Sequence, residues 1–282
     1  MKKETKSSKK QPLHVCVDRP ASTLHLYNRM YHAIKNNPKN NPAVPGTKEH
    51  AVLRGFVENP HAPMPVEHHG FMARMALVTK SMWKKGQTIT VAFLDGSALQ
   101  KKKTKKYARY WTDKTKANAN IKLKFVSGKN AMIRISFIAD DGSWSTVGTD
   151  CFLEDPGKPT MNYGWLRNDS DDQEWERVVV HEFGHALGCI HGHESPAVKI
   201  KWNKPAVYKY FEGPPNNWSK ADVDSNIFEK YSKTKTQFTA VDNTSIMMYF
   251  FPPEFTLDGK GTPENDHLSP VDIAFIRKQY PH

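Results

Sequence analysis

The stretch from His181 to His191, HEFGHALGCIH, constrains this chain more than any other. On an α-helix, His181 and His185 stand four residues apart, so both imidazoles leave one face, one turn apart. Two neutral ring nitrogens so spaced can bind one metal ion at about 2.0–2.1 Å. Glu182 is rotated about 100° from His181, poorly aimed as a ligand but able to reach a water on the metal. Gly188 tolerates a positive φ, so the helix can stop there and the chain can turn back, bringing up His191 as a third ligand. Three protein ligands plus one water make the open site of a zinc hydrolase, whereas a structural zinc takes four protein ligands. Five fixed positions, at roughly one chance in 20 each over about 280 windows, match at random on the order of once in ten thousand chains.

The rest of the chain sets the frame. Its 282 residues suffice for one large domain or two subdomains with a real core, and 38% hydrophobic with 25% charged residues is the profile of a soluble globular protein. No run of 18 apolar residues occurs, so no membrane span is expected. The opening MKKETKSSKKQPLHVCVDRP has the basic start of a secretory leader without the apolar core that follows one. The expected location is therefore cytosolic, or outside by a non-classical route. Cys16, Cys151 and Cys189 are too few for a disulfide framework; a Cys151–Cys189 bridge and two reduced buried thiols are the alternatives. The net charge of +12 concentrates in residues 98–116, where eight lysines and arginines face Asp113 alone. A solvated helix face is the expectation there, because no nucleic-acid motif with interleaved aromatics accompanies the run. Nucleic acid is not an expected partner, and a monomer is.

Along the chain, residues 1–12 read as disordered, 22–36 as an amphipathic helix, 36–47 as a Pro-rich linker and 57–70 as loop. Strands are expected at 88–96, 121–127, 132–138 and within 142–150, with a helix at 98–115 whose Leu99, Tyr107, Ala108 and Trp111 face inward. TMNYGWL, 160–166, is a further extended segment. The metal helix is expected to begin near Ser170, capped by Ser170 and Gln173, and to bury Trp175, Val178, Val179, Phe183, Ala186 and Leu187. Short helices at 203–211 and 219–230 follow, and a last one at 268–279 carries Pro270 in its first turn. The pattern is α+β.

His181, Glu182, His185, Gly188 and His191 fill every fixed position of the metzincin zinc-peptidase motif, and Ser245-Ile246-Met247-Met248-Tyr249 resembles that superfamily's Met-turn. Met247 comes 56 residues after His191. Read with Met247 as the apolar floor under the histidines, the chain resembles astacin-like and serralysin-like enzymes, whose tyrosine two residues on is here Tyr249. The register with Met248 as the floor resembles matrixins; Ser245-Ile246 favours Met247. Gly192 stands where astacins carry Glu, matrixins Asp and serralysins Pro. The resemblance covers roughly residues 80–282. It implies a zincin fold: a twisted mixed sheet with a backing helix and the metal helix above a cleft, over an irregular lower subdomain with a C-terminal helix. The division expected is 1–79 as an N-terminal extension or prosegment, 80–192 as the upper and 193–282 as the lower catalytic subdomain. By the same resemblance Met161, Asn162, Tyr163, Gly164 and Trp165 belong to the edge strand that binds a peptide substrate by strand addition.

The activity implied is a zinc-dependent metalloendopeptidase acting on peptide or protein substrates. Zn2+ is held by His181, His185 and His191, Glu182 is the general base, and Tyr249 steadies the oxyanion. A blocked, zinc-retaining binding protein is the alternative; intact Glu182 argues against it. His193 is expected beside the ligand group or at the surface rather than in it. Metzincin zymogens often block zinc with a thiolate or carboxylate, which makes Cys16 and Asp18 candidates for an inhibitory switch.

Overall fold

Four consecutive β-branched residues in TITVAF produce the first strand, and burial of Ile89, Val91 and Ala92 makes it the middle of a sheet rather than an edge. The computed structural model describes residues 13, 16, 25–62, 65, 68, 71–72, 80–139, 141–214, 216–230 and 242–282. Its strands are β1 (Thr88–Phe93), β2 (Lys122–Phe125), β3 (Ile133–Ser136), β4 (Ser143–Ser145) and β5 (Met161–Tyr163). They form one five-stranded sheet in the order β2-β1-β3-β5-β4, parallel except for β4, which runs antiparallel to β5.

That order corrects one expectation. Met161, Asn162 and Tyr163 are interior, between β3 and β4, and the edge strand is β4. The chain goes out to the edge first and returns inside it, so sequence order does not give spatial order. Met161 and Tyr163 face the main core. The Asn162 amide instead stitches the approach to β4: Nδ2 donates to Ile138 O (3.0 Å) and Gly142 O (2.7 Å), and Oδ1 accepts from Ile138 N and Ser136 Oγ, both at 2.8 Å. Gly164 lies so close to Gly142 that a Cβ would sit 2.3 Å from the Gly142 carbonyl oxygen. Its role is close backbone approach.

The helices are α1 (Leu26–Asn36), α2 (Lys48–Glu58), α3 (Ala98–Ala108), α4 (Asp172–Ala186), α5 (Lys204–Phe211), α6 (Lys220–Val223) and α7 (Pro270–Gln279). The helix α2, capped by Thr47 at His50 N, fills the stretch between the expected linker and loop, for which the sequence set no element. In α3 a reciprocal Ser97–Gln100 capping box starts the helix; Tyr107 and Ala108 are buried, but Leu99 faces outward, 38% exposed. Part of the basic run is spoken for. Lys103 and Lys106 reach Asp172 in the first turn of α4 at 3.1 and 3.6 Å, and Lys105 lies over the rings of Phe93 and Phe125.

Three apolar clusters result. The largest lies between the sheet and α3 and α4, and includes Trp83, Trp111, Trp175 and Phe183; Ile276 and Tyr280, from α7 and just after it, also enter it. A second, in the C-terminal part, gathers Val207, Phe211, Val223, Ile227, Phe251 and Phe255 together with Cys16 and Tyr249. A small third one joins α1 to α2 through Met30, Ile34 and Leu53, with Met72. Cys151 and Cys189 are both buried free thiols. Among the described residues no helix is long and apolar enough to cross a membrane. The expected disorder of residues 1–12 lies outside the described residues.

Candidate metal centre and active site

The helix α4 begins one residue later than its sequence suggests. Asp171, not Ser170, is the N-cap, accepting from Glu174 N at 2.7 Å, while Ser170 Oγ accepts from Arg167 N. A carboxylate at this end also meets the positive pole of the helix. At its other end Gly188, at φ +96°, closes a Schellman turn: Cys189 N donates to Gly184 O at 2.9 Å and Gly188 N to His185 O at 2.7 Å. The reversal delivers His191 opposite the helix.

His181, His185 and His191 are buried, and their Nε2 atoms converge at separations of 3.2, 3.2 and 2.9 Å. Their outer nitrogens decide what that means. His181 Nδ1 lies 2.7 Å from Ile246 O and His185 Nδ1 3.0 Å from Cys189 O. A carbonyl only accepts, so both Nδ1 atoms carry the proton and both Nε2 atoms present bare lone pairs to one point. Lone pairs aimed at each other repel unless a cation lies between them. A tetrahedral ion with bonds of about 2.0–2.1 Å would hold its ligands about 3.3–3.4 Å apart, close to what is found. Burial, and then the neighbouring His185 and His191, push the His181 pKa well below its ordinary 6.5, so the ring stays neutral and ready to ligate.

Cys16 completes a group of four ligand-type side chains with the three histidines, their donor atoms all within 4.8 Å of one another. Its thiol lies 3.3 Å from Glu182 Oε2, and its backbone carbonyl accepts the Tyr249 hydroxyl. Cys16 also pairs as an isolated parallel bridge with Ser143 on β4, at the edge of the sheet. Leu13 N donates to Tyr210 OH at 2.6 Å. Asp18 lies outside the described residues.

Met247 packs under α4, its Sδ 2.4 Å from where a Cβ on Gly184 would lie; Met248 lines the cleft instead. His193 is fully buried, not at the surface: its ring stacks on Tyr249 at 4.5 Å and its Nε2 meets Asn226 O at 3.1 Å, outside the ligand group. The cleft, about 1170 Å3, is lined by Trp165, Arg177, His181, Glu182, Tyr249 and Phe250, among others. Phe251, next to Phe250, is buried in the second cluster instead.

Sequence reasoning missed Asp272. Its carboxylate accepts from Ser245 Oγ (2.6 Å) and Ile246 N (2.8 Å), and so fixes the carbonyl that orients His181. Burial raises its pKa. The signal was there in Ser269-Pro-Val-Asp272, a capping box that α7 does form.

Among solved structures the chain is similar to two of myroilysin, each at 41% identity over 72% of this chain. They cover 96% and 86% of those chains, with TM-scores of 0.69 and 0.57. It is also similar to High choriolytic enzyme 1, a hatching enzyme zinc-protease from Oryzias latipes, the medaka fish. That match has 20% identity, covers 70% of this chain and 92% of that one, and has a TM-score of 0.46. No family model and no curated protein matches.

Proposed function

The chain belongs to the astacin-like metzincin zinc metallopeptidases, and from that premise we propose how its own residues cleave a peptide bond and how the chain restrains them. It is a zinc metalloendopeptidase with Zn2+ as cofactor, and its substrates are peptides. His181, His185 and His191 hold the ion. The zinc, when bound, supplies Lewis acidity, lowering the pKa of a coordinated water towards about 7 and polarising the scissile carbonyl. Glu182 takes the proton of the attacking water and later hands it to the leaving amine. The Tyr249 hydroxyl donates to the oxyanion as it develops. Met247 gives the histidines an apolar floor.

One observation carries this reading: three imidazoles, two of them with tautomers fixed by backbone carbonyls, converge on a point beside the Glu182 carboxylate and the Tyr249 ring. The test is Glu182→Gln. It should keep zinc, measured by elemental analysis, while peptidase activity falls by at least about a hundredfold. Parent activity should vanish with chelator and return with zinc. A zinc-loaded Glu182→Gln chain as active as the parent would remove Glu182 from the chemistry.

The segment at Cys16 is read as an inhibitory switch. A thiol among the three histidines competes for the position that water needs, and its carbonyl engages the tyrosine reserved for the oxyanion. Glu182, which zinc retention alone would not require, favours a latent enzyme over a permanently blocked binding protein.

A further inference from the structure

The carbonyls that end the zinc helix are satisfied from far away in the chain. Ala186 O accepts the Trp83 indole N–H at 2.7 Å, and Leu187 O accepts the Tyr280 hydroxyl at 2.6 Å. Tyr280 in turn accepts from Trp83 N at 3.2 Å. Residues 81–83 thus form a strap beneath the turn from which His191 emerges. It lies tight against two glycines: a Cβ on Gly148 would fall 1.8 Å from Ser81 O, and one on Gly188 would fall 2.5 Å from Met82 Sδ.

The strap is held by α1 and the four residues after it. Asn40 Nδ2 donates to Met82 O at 2.7 Å and Asn37 Nδ2 to Trp83 O at 2.9 Å, and both asparagines are buried. Arg29 Nε reaches both oxygens of Asp150 at 3.0 Å, and its Nη2 donates to Ser81 Oγ at 2.9 Å. Without these donors Met82 O and Trp83 O would face a buried setting unsatisfied and the Asp150 carboxylate would keep only the Ser81 hydroxyl, a far greater loss than a surface hydrogen bond. The N-terminal region therefore does two unlike things. Leu13 and Cys16 lie in the cleft, while α1 lies on the strap.

We infer that α1 and the turn after it, through Arg29, Asn37 and Asn40, are a permanent positioning element of the zinc site, and that only the chain ahead of Leu26 is removable on activation. The boundary of the removable part rests on reading Cys16 as inhibitory; the positioning role does not.

The test uses the full chain. Asn40→Asp keeps the side chain's size but sets an acceptor against the Met82 carbonyl. It should release zinc to a chromogenic chelator at least tenfold faster than the parent, while its turnover at saturating zinc stays within about twofold. Lys39→Ala, one residue away, should release zinc at the parent rate. Parent-like release in Asn40→Asp and in an Asn37→Ala variant would overturn the positioning role. Should Asn40→Asp fail to fold, N-terminal sequencing of the active, processed parent decides: a start at or before Leu26 supports the inference, and a start beyond Leu26 overturns it. An engineered cleavage sequence placed just ahead of His25 separates the two readings. If cutting there leaves activity unchanged while Asn40→Asp still loses zinc faster, the inhibitor reading and the boundary fall and the positioning role stands.

Discussion

Tyr249 sits where three demands meet. Its ring lies 4.2 Å from that of His191 and stacks on His193 at 4.5 Å, which leaves its hydroxyl as the only part able to act on a ligand in the cleft. That hydroxyl donates to the Cys16 carbonyl, the kind of acceptor a scissile carbonyl becomes during attack. Replacing it should therefore touch the transition state more than binding. In a chain cut ahead of His25, Tyr249→Phe should lower kcat by about a hundredfold with KM nearly unchanged, as for loss of one oxyanion donor. A kcat within twofold of the parent would take Tyr249 out of the mechanism. Asp272 works at the same scale but at one remove: it holds Ile246, and the Ile246 carbonyl holds the His181 tautomer.

At the scale of the element, α4 is defined by how it ends. Its Schellman turn needs the positive φ of +96° at Gly188, which an L side chain adopts at a cost of about 1–2 kcal/mol. An added methyl would also press on Met82 Sδ, although a thioether can give way. Gly188→Ala should lower the melting temperature by roughly 3–8 °C and speed zinc loss, because the displaced turn carries His191 with it. Calorimetry with and without chelator would show this, and an unchanged melting curve and zinc release would mean the turn adapts. The helix was legible in outline from its buried stripe and its histidine spacing. Its exact cap was not, because Ser170 and Asp171 are both good N-caps and only the Arg167 turn, which claims the Ser170 hydroxyl, separates them.

Across the whole molecule, distant parts of the chain share one site. Cys16 bridges to Ser143 on β4, joins the second cluster and accepts from the Tyr249 hydroxyl, so its place is set by elements more than a hundred residues away. Uncut Cys16→Ala chain should therefore cleave a peptide faster than uncut parent, by tenfold or more, with equal zinc content. Equal rates would show that the thiol restrains nothing. The convergence of His181, His185 and His191, the turn at Gly188 and the α+β pattern could be read from residue spacing, since helix geometry alone puts two histidines four apart on one face and glycine alone frees the turn. The edge position of β4, the burial of His193 and the service of Trp83, Tyr280, Asp272 and α1 to the zinc helix could not. Each depends on which surfaces meet across long stretches of chain, and a local pattern of residues carries the period of an element but not the identity of its neighbour.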